Sequence, residues 1–230
     1  MKSESEKNYF LALDTSGMAS GVYISKNQEI LGQTVLYQKN IHSRRLSLSV
    51  TQLLDHLELE LRDFKAIILS AGPGSFTGLR IGYSLAKGLA HALKLKMIEV
   101  PTLDIWAYQV GQSSLPILSF IDAHRDEIFF SRYQRNGEQL ERIYDYQTVA
   151  LTKLPDIITV KTLINGENLA VFQEKFQKVL GENAVFPAFS SKQAEGWALI
   201  ALGYKKFSNG EFSHLENCEP LYLRSFKGVM

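Results

Sequence analysis

One stretch constrains this chain more than any other: Lys65 to Leu95, KAIILSAGPGSFTGLRIGYSLAKGLAHALKL. Its uninterrupted apolar run Ala66-Ile67-Ile68-Leu69 predicts a central parallel strand covered on both faces. Gly72, Pro73 and Gly74 end that strand, and Ser75 stands where an N-cap hydroxyl would accept an orphan helix N–H. In the helix beyond it, Gly78, Leu79, Gly82, Tyr83, Leu85, Ala86, Leu89, Ala90, Ala92 and Leu93 fall on one half of the wheel. Arg80, Ser84, Lys87, His91 and Lys94 share the other half. A helix lying on one sheet needs a narrower apolar stripe than this, so two contacts are expected. Gly82 lies near the centre of the apolar half, flanked at four-residue steps by Gly78, Ala86 and Ala90. Small residues on one ridge let another backbone come close. Glycine inside a helix costs roughly 0.5–1 kcal/mol relative to alanine, so Gly78, Gly82 and Gly88 each need a reason. Tight packing on the chain's own sheet is one reason; a helix from a second chain is the other, and both can hold.

The turn itself spaces Gly72, Gly74 and Gly78 as G-x-G-x-x-x-G, one residue longer than the dinucleotide fingerprint. No phosphate-binding G-x-x-x-x-G-K-[ST] fits over it. Free amides at a strand–helix junction can hold an anion, but a structural turn is the preferred reading.

The remaining chain reads as two similar halves. Tyr9 to Leu13 is a strand ending at Asp14; Thr15, Ser16 and Gly17 turn, and Gly21 to Ile24 and then Ile30 to Tyr37 continue as strands. His42 to Asp63 reads as a helix with Leu46, Val50, Leu53, Leu54, Leu57 and Leu61 on one face and Leu48 and Leu59 on the other. Its end, Leu57 to Leu61, alternates like a strand as well. Met97 to Val100 is a short strand, Pro101-Thr102 a lobe boundary, and a helix runs through Tyr108. Pro116 to Ile121 is a strand ending at Asp122, Ile128 to Tyr133 returns, and Asn136-Gly137 signals the next hairpin. Val160 to Asn165 is a strand ending at Gly166, and Leu169 to Leu180 and Ala194 to Phe207 are amphipathic helices. The expectation is an α/β chain of two lobes, 1–101 and 102–230, each a mixed sheet flanked by helices. The closing segment could dock back on the first lobe.

Composition removes several function classes. A formal charge of +1 exerts no long-range pull on nucleic acid or membrane. With 45% hydrophobic and 21% charged residues the chain is ordinary for a globular protein, and no apolar run nears the ~20 residues of a membrane span. The polar start MKSESEKNY does not read as a signal peptide. Cys218 is the single cysteine, so no intrachain disulfide is possible and the cytoplasm is expected.

Hairpins tipped by aspartate are how actin, heat-shock chaperone ATPases and sugar kinases hold a nucleotide's phosphates. Asp14-Thr15-Ser16 resembles the first such loop. The second has His124 and Arg125 where glycine and a small hydroxyl residue are needed, and the third is reduced to Gly166. A scaffold is favoured over phosphoryl transfer; the alternative is an ATPase or kinase-like enzyme using the Asp14 loop. No cofactor and no metal is expected: His42 has Leu46 four residues on, and His56 with Glu60 lacks a third ligand. No G-x-S-x-G nucleophile motif occurs. The cationic ridge Arg80, Lys87, His91 and Lys94 is a solvated face or meets an acidic partner.

Four stretches carry a family resemblance: Leu11 to Ser16, Gly72 to Gly82, Ile121-Asp122-Ala123 before Arg125, and Pro220-Leu221-Tyr222-Leu223-Arg224. Together they resemble the TsaB (YeaZ) family nearly end to end. The resemblance implies a two-lobed actin-like fold without catalytic function, related to the metal-dependent subunit TsaD. It implies support of threonylcarbamoyl transfer by TsaD to adenosine 37 of tRNAs that read ANN codons, with TsaE as the ATPase. It further implies a homodimer, replaceable by a TsaD heterodimer, through helices of the first lobe. That expectation falls on Gly78, Gly82, Ala86 and Ala90, and on Leu53 and Leu57. Contact with tRNA is expected only through the complex, and peptidase labels on such chains find no support in these residues.

Overall fold

The computed structural model describes residues 8–37, 43–188, 191 and 193–223. Contacts divide it into two units, residues 1–101 with 196–220, and residues 102–195 with 221–230.

The first unit begins with three antiparallel strands, β1 (Tyr9–Asp14), β2 (Ala19–Lys26) and β3 (Glu29–Tyr37). Helix α1 (Ser43–Leu57) leads to β4 (Phe64–Ser70), helix α2 (Phe76–Leu93) and β5 (Lys96–Val100). The sheet order is β3-β2-β1-β4-β5, with β4 parallel to both β1 and β5. The strand predicted at Ala66–Leu69 is thus central, and all four residues are buried. Leu11, Leu13, Ile67 and Leu69 join Leu46, Val50, Leu54, Tyr83, Ala86 and Ala90 in one core on the α1–α2 face.

Helix α1 stops at Leu57, six residues before the expected end. Glu58 is left-handed (φ 53°), and only a short 3-10 turn, Leu61–Asp63, precedes β4. Leu59 therefore leaves the helix and packs against the core, while Leu48 stays on α1 and is 52% exposed. The alternation seen in Leu57 to Leu61 marked that exit from helical periodicity. His42, the residue weighed as a metal ligand, lies outside the described residues, as does Arg224.

In the second unit, helix α3 (Thr102–Tyr108) is followed by β6 (Ile117–Asp122), β7 (Glu127–Asn136) and β8 (Gln139–Ala150). Then come β9 (Thr162–Gly166), α4 (Leu169–Leu180) and a two-residue strand β10 (Ala184–Val185). The order is β10-β9-β6-β7-β8, parallel for β10-β9-β6 and antiparallel for β6-β7-β8. Phe120 packs against Phe172 and Phe176 at centroid distances of 5.2 and 4.8 Å, which seats α4 on one sheet face. On the α3 side, Asp104 Oδ1 accepts from the hydroxyls of Tyr133 and Tyr146, both at 2.7 Å. Burial first, and then the Asp104 carboxylate, push both phenols above the ordinary tyrosine range.

Helix α5 (Gly196–Ser208) corrects the sequence boundary, which counts it with the second lobe. It covers the other face of the first sheet. Phe10 meets Tyr204 and Phe207 edge-on at 5.8 and 4.9 Å, and Gly203 leaves room for the Ile68 side chain. β1 and β4 are apolar toward both faces, and α1 with α2 covers only one of them. The segment after α5 is tied to the same unit. Met97 bridges Ser213, Tyr83 donates to the Glu99 carboxylate and to Glu219 O, and Lys87 donates to Cys218 O. Burial, then Glu99, push the Cys218 thiol up to about 11.

Candidate functional site

Three sequence features can now be placed: the first aspartate-tipped loop, its counterpart in the second unit, and the glycine helix. The first loop is closed by its own chain. Asp14 Oδ1 accepts from Ser16 N at 2.9 Å, Ser16 Oγ at 2.7 Å and Ser70 Oγ at 2.6 Å. Thr15 N donates to Ser70 Oγ at 3.4 Å. A phosphate cradle needs free main-chain amides and a carboxylate able to organise a cation or water. Here the Thr15 and Ser16 amides and the carboxylate oxygen Oδ1 are engaged within the loop, and Asp14, Thr15 and Ser16 are all buried.

The cover over this loop is the Gly72–Ser75 turn, in which the Gly72–Pro73 peptide is cis. Ser75 N donates to Ser16 O at 2.7 Å, and a Cβ on Gly74 would run into that same carbonyl. Ser75 Oγ caps α2 by accepting from Gly78 N at 3.2 Å. A Cβ on Gly78 would strike Thr15 O, and one on Gly82 would strike the Thr15 side chain. The glycine spacing is thus explained by a backbone-to-backbone seat for the β1–β2 tip, as in the structural reading of the turn.

That finding corrects the interface expectation. Gly78, Gly82, Ala86 and Ala90 are buried within the first unit and offer no surface to a second chain. Leu53 and Leu57 are half-buried over Gly32 of β3, with methyl carbons 3.2 Å from where its Cβ would be. The sequence rule sees a small-residue ridge but cannot say whose backbone fills it. What α2 leaves partly accessible is a different row: Ile81, Leu85 and Leu89, half-buried with one side against the core, and Gly88, Ala92 and Leu93, exposed. A Cβ on Gly88 would meet nothing within 4 Å. Of the three helix glycines, Gly88 alone has no close neighbour among the described residues, which could have been suspected from its position off the Gly78–Gly82 ridge.

In the second unit, Asp122 Oδ1 accepts from His124 N at 2.7 Å, the same turn as at Asp14. There the likeness ends. His124, Arg125 and Asp126 are exposed and all left-handed, with φ of 63°, 57° and 58°. Asp126 pairs with Lys175 at 2.7 Å and His124 Nδ1 lies 3.5 Å from Asp122 Oδ2. Gly166 is required for packing, since a Cβ would strike Phe120 O and its ring. Among the described residues no group of three or more His, Cys, Asp or Glu is placed to hold a metal ion.

A family model described as TsaD: tRNA N6-adenosine threonylcarbamoyltransferase matches residues 29–207, well over half of the chain. The chain belongs to the TsaD family. Within it, the full-length likeness is to proteins named TsaB and YeaZ. The tRNA threonylcarbamoyladenosine biosynthesis protein TsaB of Bacillus subtilis is 28% identical over 217 residues, covering 93% of each chain. Its namesake from Escherichia coli is 28% identical over 228 residues, covering 94% of each. The solved structure of YeaZ from Pseudomonas aeruginosa superposes with a TM-score of 0.78 at 26% identity, covering 94% of this chain and all of the other. The two mixed five-stranded sheets with flanking helices are the actin-like, sugar-kinase-like fold. In this TsaD-family chain the Asp14 tip is held by hydrogen bonds to Ser16 and Ser70 of the chain itself. No helix among the described residues is long and apolar enough to cross a membrane.

Proposed function

We propose that this chain is a non-catalytic, TsaB-like subunit of the cytoplasmic machinery that makes threonylcarbamoyladenosine in tRNA. In this reading it binds a TsaD-type catalytic homologue, with TsaE joining the complex and tRNA met only through it. The observation that carries the proposal is the internal bonding of Asp14, whose Oδ1 accepts from three donors of its own chain and so serves the fold. The names of the TsaB relatives support the pathway, and the TsaD-family match supports kinship with the transferase.

The docking face in this reading is the outward row of α2, Ile81, Leu85, Gly88, Leu89 and Ala92, together with the exposed Leu48 of α1. Spacings of three and four residues put the α2 members on one stripe. Glycine at 88 admits a second helix at the close end of the ~8–10 Å interaxial range. The chain alone would satisfy this stripe with a second copy, and the TsaD-type subunit would displace that copy.

Two measurements test the proposal. Purified chain given ATP should show no turnover; a rate within the ordinary enzyme range of roughly 1–10³ s⁻¹, abolished by Asp14→Asn, would replace the scaffold with an ATPase. Leu85→Glu should leave the circular dichroism spectrum unchanged and abolish capture by an immobilised TsaD-type subunit. Capture at wild-type strength would remove the α2 stripe from the interface.

A further inference from the structure

The two sheets have four edges, and three are closed by recognisable means. β5 is five residues long, carries Lys96 and Glu99, and is bridged at Met97 by Ser213. β10 has two residues. β8 carries Glu141, Arg142 and Asp145, and its ladder to β7 shifts register twice, between Phe130 and Arg132 and again before Tyr133. Charges, short strands and irregular ladders are the ordinary protections against unwanted strand pairing.

β3 has little of this. Among the described residues it pairs with β2 alone, and its one irregularity falls at Leu31, where the register to Ile24 and Ser25 shifts. From Gly32 to Tyr37 the ladder is regular, and Ile30 to Tyr37 contains neither a charged residue nor a proline. Leu31 and Tyr37 are 37% and 60% exposed.

We propose that the edge of β3 left unpaired by the described residues pairs, antiparallel and about a two-fold axis, with β3 of a second copy of this chain. A row of outward N–H and C=O groups is matched in full only by another extended strand, which excludes a helix or a small ligand as occupant. The strand is self-complementary. A two-fold at Thr34 sets Gln33 opposite Val35 and Gly32 opposite Leu36, so no like charges meet. Closed two-fold pairs are also the commonest self-association, and a net charge of +1 opposes it little. The ten-stranded sheet so formed would place both α1 helices on the same face, with the exposed Leu48 of each on that side. A ladder of about six residues buries far less than the ~1,200 Å² of a stable interface, so the pairing is weak and concentration-dependent. It involves a different surface from the α2 stripe and stands or falls separately.

The test uses the full chain carrying Leu85→Glu, which removes the α2 stripe from consideration. Amide hydrogen exchange over Gly32–Tyr37 should slow as protein concentration rises. Thr34→Cys should form a disulfide dimer under mild oxidation, read without interference because Cys218 is buried. Thr34→Lys, which sets two like charges opposite each other, should weaken self-association by about tenfold or more, the equivalent of ~1.4 kcal/mol, with an unchanged circular dichroism spectrum. Exchange independent of concentration, with Thr34→Cys cross-linking no faster than an Ile143→Cys control on β8, would overturn the proposal. Protection of the edge that appears only when a different protein is added would overturn it too.

Discussion

The tips at Asp14 and Asp122 begin identically and end as opposites. At each, an aspartate Oδ1 accepts the N–H two residues on, at 2.9 and 2.7 Å. At Asp14 the same oxygen collects two serine hydroxyls, and Ser75 of the Gly72–Ser75 turn donates its N–H to Ser16 O. At Asp122 the tip residues His124, Arg125 and Asp126 are exposed and all three are left-handed. A local turn motif sets the first hydrogen bond. Whether the motif becomes a site, a plug or a surface loop is decided by what the chain lays over it.

The largest expected effect separates the two aspartates. Asp14→Ala strands Ser16 N and Ser70 Oγ in the interior, at ~1–3 kcal/mol for each buried group left unpaired, so a loss of about 3 kcal/mol or more is expected in chemical denaturation. Asp122→Ala should cost ~1 kcal/mol or less, because water can replace the carboxylate. Equal losses would break the comparison.

Next are the helix glycines. Gly82→Ala pushes into Thr15 and should destabilise by ~1–3 kcal/mol. Gly88→Ala, with open space around its Cβ, should instead stabilise the isolated chain by roughly 0.5–1 kcal/mol. Opposite signs in thermal melts would confirm that one glycine serves the plug and the other an outward face.

The Tyr133–Asp104–Tyr146 cluster gives the second unit an alkaline limit. Both phenols are raised above the unfolded value of ~10. The folded state therefore binds their protons more tightly, and the associated stability is complete below pH ~10 and lost as pH rises above it. Asp104→Asn should reduce that alkaline loss in a pH series of melting temperatures. An unchanged slope would show that burial alone raises the two tyrosines. The smallest effect is expected at the exposed tip, where Lys175→Ala removes a solvent-exposed ion pair worth about 0.2–1 kcal/mol and reduced by salt.

Much of the fold was legible because period and punctuation are local properties. The apolar run Ala66–Leu69 suited a covered strand, Ser75 was placed to cap the helix beyond Gly74, and the two aspartate-tipped hairpins suggested two related halves. The early end of α1 was half-visible in the alternation of Leu57 to Leu61. Family membership was likewise carried by short local motifs.

Tertiary structure alone decided which backbone the Gly78–Gly82 ridge would receive, because a small-residue stripe records the closeness of an approach and not its source. Thr15 fills that space, which leaves Ile81, Leu85 and Gly88 as the partly accessible row of α2. The placement of α5 was equally out of local reach. Its apolar face is written in the sequence, but only the need to cover the second face of β1 and β4 assigns it to the first sheet.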